Sequence, residues 1–75
     1  MVKYKSDIIL EEDLKVQTDK FWDENYNIVN VVKIIMISTG LEWTGCSWES
    51  QINAYNLALK ELELKYKEYC INNNK

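Results

Sequence analysis

Leu10-Glu11-Glu12-Asp13-Leu14-Lys15-Val16-Gln17-Thr18-Asp19-Lys20-Phe21-Trp22-Asp23-Glu24-Asn25 is the stretch that decides the fold, because it can be read in two ways. Leu10, Leu14, Gln17 with Thr18, Phe21 and Asn25 fall at helical spacing, and three acids stand in the first turn, where a helix dipole favours them. This reading puts a helix at about 10–25. It predicts an α+β domain with the order β-α-β-β-α. In the competing reading Glu11-Glu12-Asp13 is a turn, and Leu14, Val16 and Thr18 begin a strand that suits their β-branched members. The domain is then a three-stranded meander followed by a C-terminal helix.

Downstream, Asn25-Tyr26-Asn27 reads as a loop, since Asn tolerates left-handed backbone and bonds its own main chain. Residues 28–38 are the most hydrophobic segment and carry Ile28, Val29, Val31, Val32, Ile34, Ile35 and Ile37. Such stiff side chains suit a strand covered on both faces, so this is the expected central strand. Thr39-Gly40 reads as a short turn, and residues 41–46 return as an antiparallel partner. Strand alternation puts Leu41, Trp43 and Gly45 on one face and Glu42, Thr44 and Cys46 on the other. Upstream, Val2, Tyr4 and Ser6 alternate with Lys3, Lys5 and Asp7, which predicts a strand at 2–8.

After the hairpin, Gly45 is placed to make a bend and Ser47 to cap a helix with Glu49 in its first turn. Trp48, Ile52, Tyr55, Leu59, Leu62, Tyr66 and Tyr69 then recur at alternating intervals of four and three, a heptad seam. A helix over 48–71 follows, with a disordered polar tail at about 72–75. At ~1.5 Å per residue that helix spans about 36 Å. A compact chain of this size is roughly 30 Å across, so the far end near Tyr66 and Tyr69 is expected to overhang. Leu57 and Leu64, continued by Ile71, lie opposite the seam. Single exposed leucines are commonplace, but an apolar stripe on so small a domain points to a homodimer through this helix.

The chain of 75 residues reads as one domain, and its composition narrows the function. It has no His, so ordinary acid–base and triad chemistry would fall to shifted carboxylates or Lys. It has no Arg, and its nine Lys are dispersed among twelve acids for a net charge of −3, which argues against nucleic acid as a partner. Cys46 and Cys70, about 36 Å apart along a single helix, could not form a disulfide, which fits a reducing compartment. Two Cys without His make a poor zinc site, so no metal or cofactor is expected. No signal-peptide pattern opens the chain, and no apolar run approaches the ~20 residues needed to cross a bilayer. A soluble protein of the cytoplasm is expected, with no membrane contact. The bias toward Ile, Lys, Asn and Tyr suits an AT-rich genome, such as a low-GC bacterium or its phage.

Two candidate sites emerge. Trp43, Thr44, Gly45, Ser47 and Trp48 combine rings that stack, hydroxyls and a helix N-terminus, parts that would suit a nucleotide-like ligand. Trp22, Asp23, Glu24, Tyr26, Tyr66 and Tyr69, with Leu57 and Leu64 on the helix, offer aromatic, acidic and apolar contacts for a protein. Cys46 near a helix N-terminus and the adjacent Asp23 and Glu24 have no visible partner base, so catalysis is not expected. The expectation is a small non-enzymatic interaction protein, an inhibitor or adaptor of a phage or mobile element that binds a larger protein through an aromatic and acidic surface. The alternative is a protein that binds or sequesters a small nucleotide-like molecule.

Overall fold

A strand as apolar as residues 28–36 needs hydrogen-bonding neighbours on both edges and a cover on at least one face. In the computed structural model, which describes residues 2–73, the chain next to it supplies all three. Strand β1 (Leu14–Trp22), strand β2 (Ile28–Met36) and strand β3 (Glu42–Ser47) form an antiparallel sheet in the order β1-β2-β3, and helix α1 (Gln51–Asn73) follows. The domain is α+β, with the meander topology.

Residues 10–25 are therefore not a helix. Glu11–Asp13 make one 3-10 turn, and β1 then pairs with β2 without a bulge from Leu14↔Met36 to Trp22↔Ile28. The competing forces are local propensity and partnership. A helix here would have left one edge of β2 to a distant segment, whereas β1 is joined to it by a short loop whose closure costs little entropy. Val16 and Thr18 also fit a pleated surface better than a helix. The acids placed for a helix dipole are used otherwise. The Asp13 carboxylate accepts from the Ser38 N–H at 3.0 Å and the Ser38 hydroxyl at 2.6 Å, and Glu11 pairs with Lys3 at 3.0 Å.

The strand expected at 2–8 is absent as well. That segment runs along α1, and one side chain takes the role a neighbouring strand would have had. The Asn56 amide accepts from the Tyr4 N–H at 2.7 Å and donates to the Val2 carbonyl at 3.0 Å. Ser6 then turns the chain by accepting from the N–H groups of Ile8 and Ile9, which drops Ile9 into the core.

The helix starts later than its sequence suggests. Ser47 is the last residue of β3, and Ser50 is the cap, its hydroxyl accepting from the Asn53 N–H at 3.0 Å. Asn72 and Asn73 belong to the helix, while residues 74 and 75 lie outside the described residues. Gly45 is not a bend. It sits inside β3, opposite Val32, where α1 crosses the sheet. A Cβ at Gly45 would collide with the Ala54 carbonyl oxygen and lie 2.9 Å from the Ala58 N and 3.1 Å from the Ala58 Cβ. Glycine on the strand and alanines on the helix let two backbones meet directly.

Around that crossing, Val32, Ile34 and Met36 of β2 pack against Ala54, Tyr55, Ala58, Leu59 and Leu62, with Ile9 closing the side. Each fully buried Ile or Leu contributes about 1.5–3 kcal/mol. The heptad seam thus holds at its centre, in Tyr55, Leu59 and Leu62, with Tyr66 packed at the margin. Its ends fail: Trp48 precedes the helix, and Ile52 and Tyr69 are exposed. The expected overhang is present. Residues 67–73 are all exposed, the dimensions are 49 × 23 × 16 Å, and the gyration radius is 13.5 Å, against about 11 Å for a compact chain of this length. The helix lies mainly over β2 and β3, so most of β1 beyond Leu14 and most of the opposite face of the sheet are exposed, apart from Val29, which is buried on that face.

Candidate functional site

One end of the sheet gathers the aromatic residues. Trp22 is the last residue of β1, Tyr26 lies in the turn to β2, and Trp48 is the first residue beyond β3. Antiparallel meander geometry brings these three places together, although Trp22 and Trp48 are far apart in sequence. The three rings are 66%, 82% and 68% exposed, and the half-exposed Phe21 and Ile28 lie at the same end.

Asp23 organises this end. Its Oδ1 accepts from the N–H groups of Asn25 at 2.8 Å and Asn27 at 2.9 Å, while its Oδ2 accepts from the Trp48 indole N–H at 2.9 Å. Its own N–H donates to the Asn27 carbonyl at 3.0 Å, and its carbonyl accepts from the Tyr26 N–H at 3.1 Å. The Asn27 N–H above all, with the Trp48 and Asn25 donors behind it, holds the Asp23 carboxyl below the ordinary aspartate range. The carboxylate is fixed in its charged form and pins the indole. Tyr26 takes the left-handed backbone, φ +61°, which costs a non-glycine residue about 1–2 kcal/mol. The result is a shallow groove lined by Trp22, Asp23, Tyr26, Asn27, Ile28 and Trp48, with Glu24 exposed on the turn. It presents flat apolar area around a fixed negative charge.

The residues read as a ligand site do not assemble. Trp43, Gly45 and Ser47 face the helix, Thr44 faces the open side of the sheet, and Trp48 joins the aromatic end. The place at Gly45 is filled by the helix backbone. Ser47 is buried, its hydroxyl accepting from the Glu49 N–H at 3.0 Å and the Asn53 amide at 2.7 Å. Trp43 lies under the Lys65 ammonium, 4.8 Å from the ring centroid. Cys46 is an exposed free thiol in β3, away from the helix N-terminus, and Cys70 is an exposed free thiol on the overhang.

Of the residues read as a protein interface, Trp22, Asp23, Glu24 and Tyr26 come together. Tyr66 and Tyr69 stack with centroids 6.4 Å apart at 16°, out on the overhang, while Leu57 and Leu64 lie exposed on the outer face of α1. Trp48, Phe21 and Ile28 were missed as neighbours of Trp22. Pairing residues 14–22 with 28–36 would have placed Phe21 and Ile28, and the β2–β3 register would have placed Trp48. Among the described residues no group of three or more His, Cys, Asp or Glu could hold a metal ion, and no helix is long and apolar enough to cross a membrane. No known protein family, characterised protein or solved structure matches this chain.

Proposed function

We propose that this chain is a non-enzymatic interaction protein that docks on a larger protein through the aromatic end of its sheet. The observation that carries this reading is the grouping of Trp22, Tyr26 and Trp48, all largely exposed, around the fixed Asp23 carboxylate. Rings of this kind contribute large contact area at low entropic cost and dominate protein interfaces. Tyr26 adds a second sign, because an exposed residue kept in a strained backbone marks a place selected for something other than stability. With Asp23 and Glu24 beside the rings, the complementary surface is an apolar depression rimmed by Lys or Arg. An inhibitor or adaptor of a host or phage assembly would act in this way.

The test separates stability from binding. Replacing Tyr26 by Gly relieves the left-handed strain and removes almost no buried area, so it should stabilise the fold by about 0.5–1 kcal/mol. Trp22→Ala should leave stability nearly unchanged. Both variants should lose the partner that the natural chain captures from a low-GC bacterial lysate, whereas Leu57→Glu should keep it. Capture that survives both aromatic substitutions would refute the assignment of this surface.

A further inference from the structure

Strand β1 is an edge strand of full length, and its free edge can be mapped residue by residue. The Asp13 carbonyl accepts from the Ile37 N–H and the Asp23 N–H donates to the Asn27 carbonyl, so the odd-numbered residues of β1 bond to β2. Alternation turns the N–H and C=O groups of Leu14, Val16, Thr18, Lys20 and Trp22 outward. Two of those N–H groups are satisfied locally, that of Leu14 by the Glu11 carbonyl and that of Lys20 by the Asp19 Oδ1 at 2.8 Å. Val16, Thr18 and Trp22 keep outward donors with no sheet partner. An edge this long, without a bulge or proline, is a template for another strand.

We infer that this edge pairs antiparallel with β1 of a second copy, centred on Thr18, to make a continuous six-stranded sheet. A two-fold axis perpendicular to the sheet keeps each residue on its own face, so the centre of pairing must be a residue paired with itself. Centring on Thr18 overlaps the whole strand. Each Thr18 N–H then donates to the partner's Thr18 carbonyl, each Val16 N–H to the partner's Lys20 carbonyl and each Trp22 N–H to the partner's Leu14 carbonyl. All three outward donors of each copy are satisfied. Side chains agree within the strand: Leu14 meets Trp22, Val16 meets the Lys20 stem, Lys15 meets Phe21 and Gln17 meets Asp19, with no like charges opposed inside β1. Just past its ends Asp13 comes opposite the partner's Asp23, a repulsion that salt screens. Centring on Asp19 or Lys20 sets like charges face to face, and centring on Gln17 leaves Phe21 and Trp22 without partners in the strand. The helix packs mainly on β2 and β3, and it borders β1 through Gln51, Ile52 and Tyr55, which line a shallow cavity with Lys3, Val16 and Thr18 on the helix face of the sheet. Antiparallel pairing puts the two aromatic ends at opposite ends of the joined sheet, so the pair is bivalent.

The proposal is tested by sedimentation of the full chain from micromolar to submillimolar concentration, with amide exchange read in parallel. The natural chain should reach twice its monomer mass, and exchange at Val16, Thr18 and Trp22 should slow roughly tenfold as the dimer forms. Val16→Lys opposes Lys20 of the partner and should weaken association at least tenfold. Adding Lys20→Glu should restore it to within about threefold, which a merely local effect on folding would not do. A chain monomeric throughout, a dimer indifferent to Val16→Lys, a double variant that stays monomeric, or a dimer lost through Leu57→Glu with Leu64→Glu but kept in Val16→Lys would each overturn it. If Val16→Lys fails to fold, the exchange pattern of the natural chain decides: no protection at the three outward amides in a dimer excludes this edge.

Discussion

Gly45→Ala tests the packing on which the domain rests. If Gly45 were a bend in a loop, alanine would be neutral or stabilising by about 0.4–1 kcal/mol through the unfolded state. In the structure the added methyl meets the Ala54 carbonyl oxygen, the Ala58 N at 2.9 Å and the Ala58 Cβ at 3.1 Å. Two of these are helix backbone and cannot rotate away, so α1 must retreat from the sheet by roughly 0.5–1 Å. A gap of that size forfeits about a quarter to a half of the dispersion attraction across it. The fully buried Ile34, Leu59, Leu62 and Val32 all lie at this interface. With each contributing about 1.5–3 kcal/mol, a quarter to a half of the total comes to about 1.5–6 kcal/mol, roughly 3 kcal/mol at mid-range. Net stability for a domain of this size is roughly 4–11 kcal/mol, so the melting temperature should fall by about 10–25 °C. Urea unfolding followed by far-ultraviolet circular dichroism measures it. Gly40→Ala is the contrast: φ there is +77° with open space around it, so only backbone strain of about 1 kcal/mol is lost. Ala58→Gly added to Gly45→Ala should not restore stability, because the Ala54 carbonyl remains in the way. A Gly45→Ala midpoint equal to or above that of the natural chain would refute the direct contact of strand and helix.

Two further outcomes follow from named contacts. Asp23 has its folded pKa depressed, so the stability it contributes is complete above the ordinary aspartate value and is lost as pH falls through the lower folded value. Tryptophan emission, which reports the Trp48 indole bonded to Asp23, should change in that acidic window, and Asp23→Leu should remove the transition. Asn56→Leu breaks the two hydrogen bonds that Asn56 makes to residues 2–4 and leaves the partly buried Tyr4 N–H unpaired, a cost of about 1–3 kcal/mol. Proteolysis near residues 3–8 should accelerate, and unchanged cleavage there would show that Ile9, the packed Tyr4 ring and the Lys3–Glu11 pair hold the segment without Asn56.

Much of this protein is determined locally. The apolar, β-branched run at 28–38 reads as a central strand, which the fold realises over Ile28–Met36, and residues 41–46 read as its return partner through Thr39-Gly40. Their alternation already sorts Trp43 and Gly45 from Thr44 and Cys46. The seam through Tyr55, Leu59 and Leu62 marks the inner face of a helix long enough to overhang. These features follow from period and chain length, which act within a few residues. Residues 14–22 are different, because a helical spacing and a strand propensity coexist there, and the choice belongs to the empty edge of β2. Gly45 looks like a bend until the helix backbone arrives on top of it. Ser47 and Ser50 are both good caps, and the contact of Ala54 and Ala58 with Gly45 sets where the helix begins. The aromatic end divides the same way: Trp22, Asp23, Glu24 and Tyr26 are neighbours in the chain and legible as a group, whereas only the register of three strands brings Trp48 onto Asp23. Sequence by itself determined the elements that bury their own residues, while tertiary structure decided each position whose partner is distant, because hydrogen bonding and steric contact between remote segments leave no periodic trace in the chain.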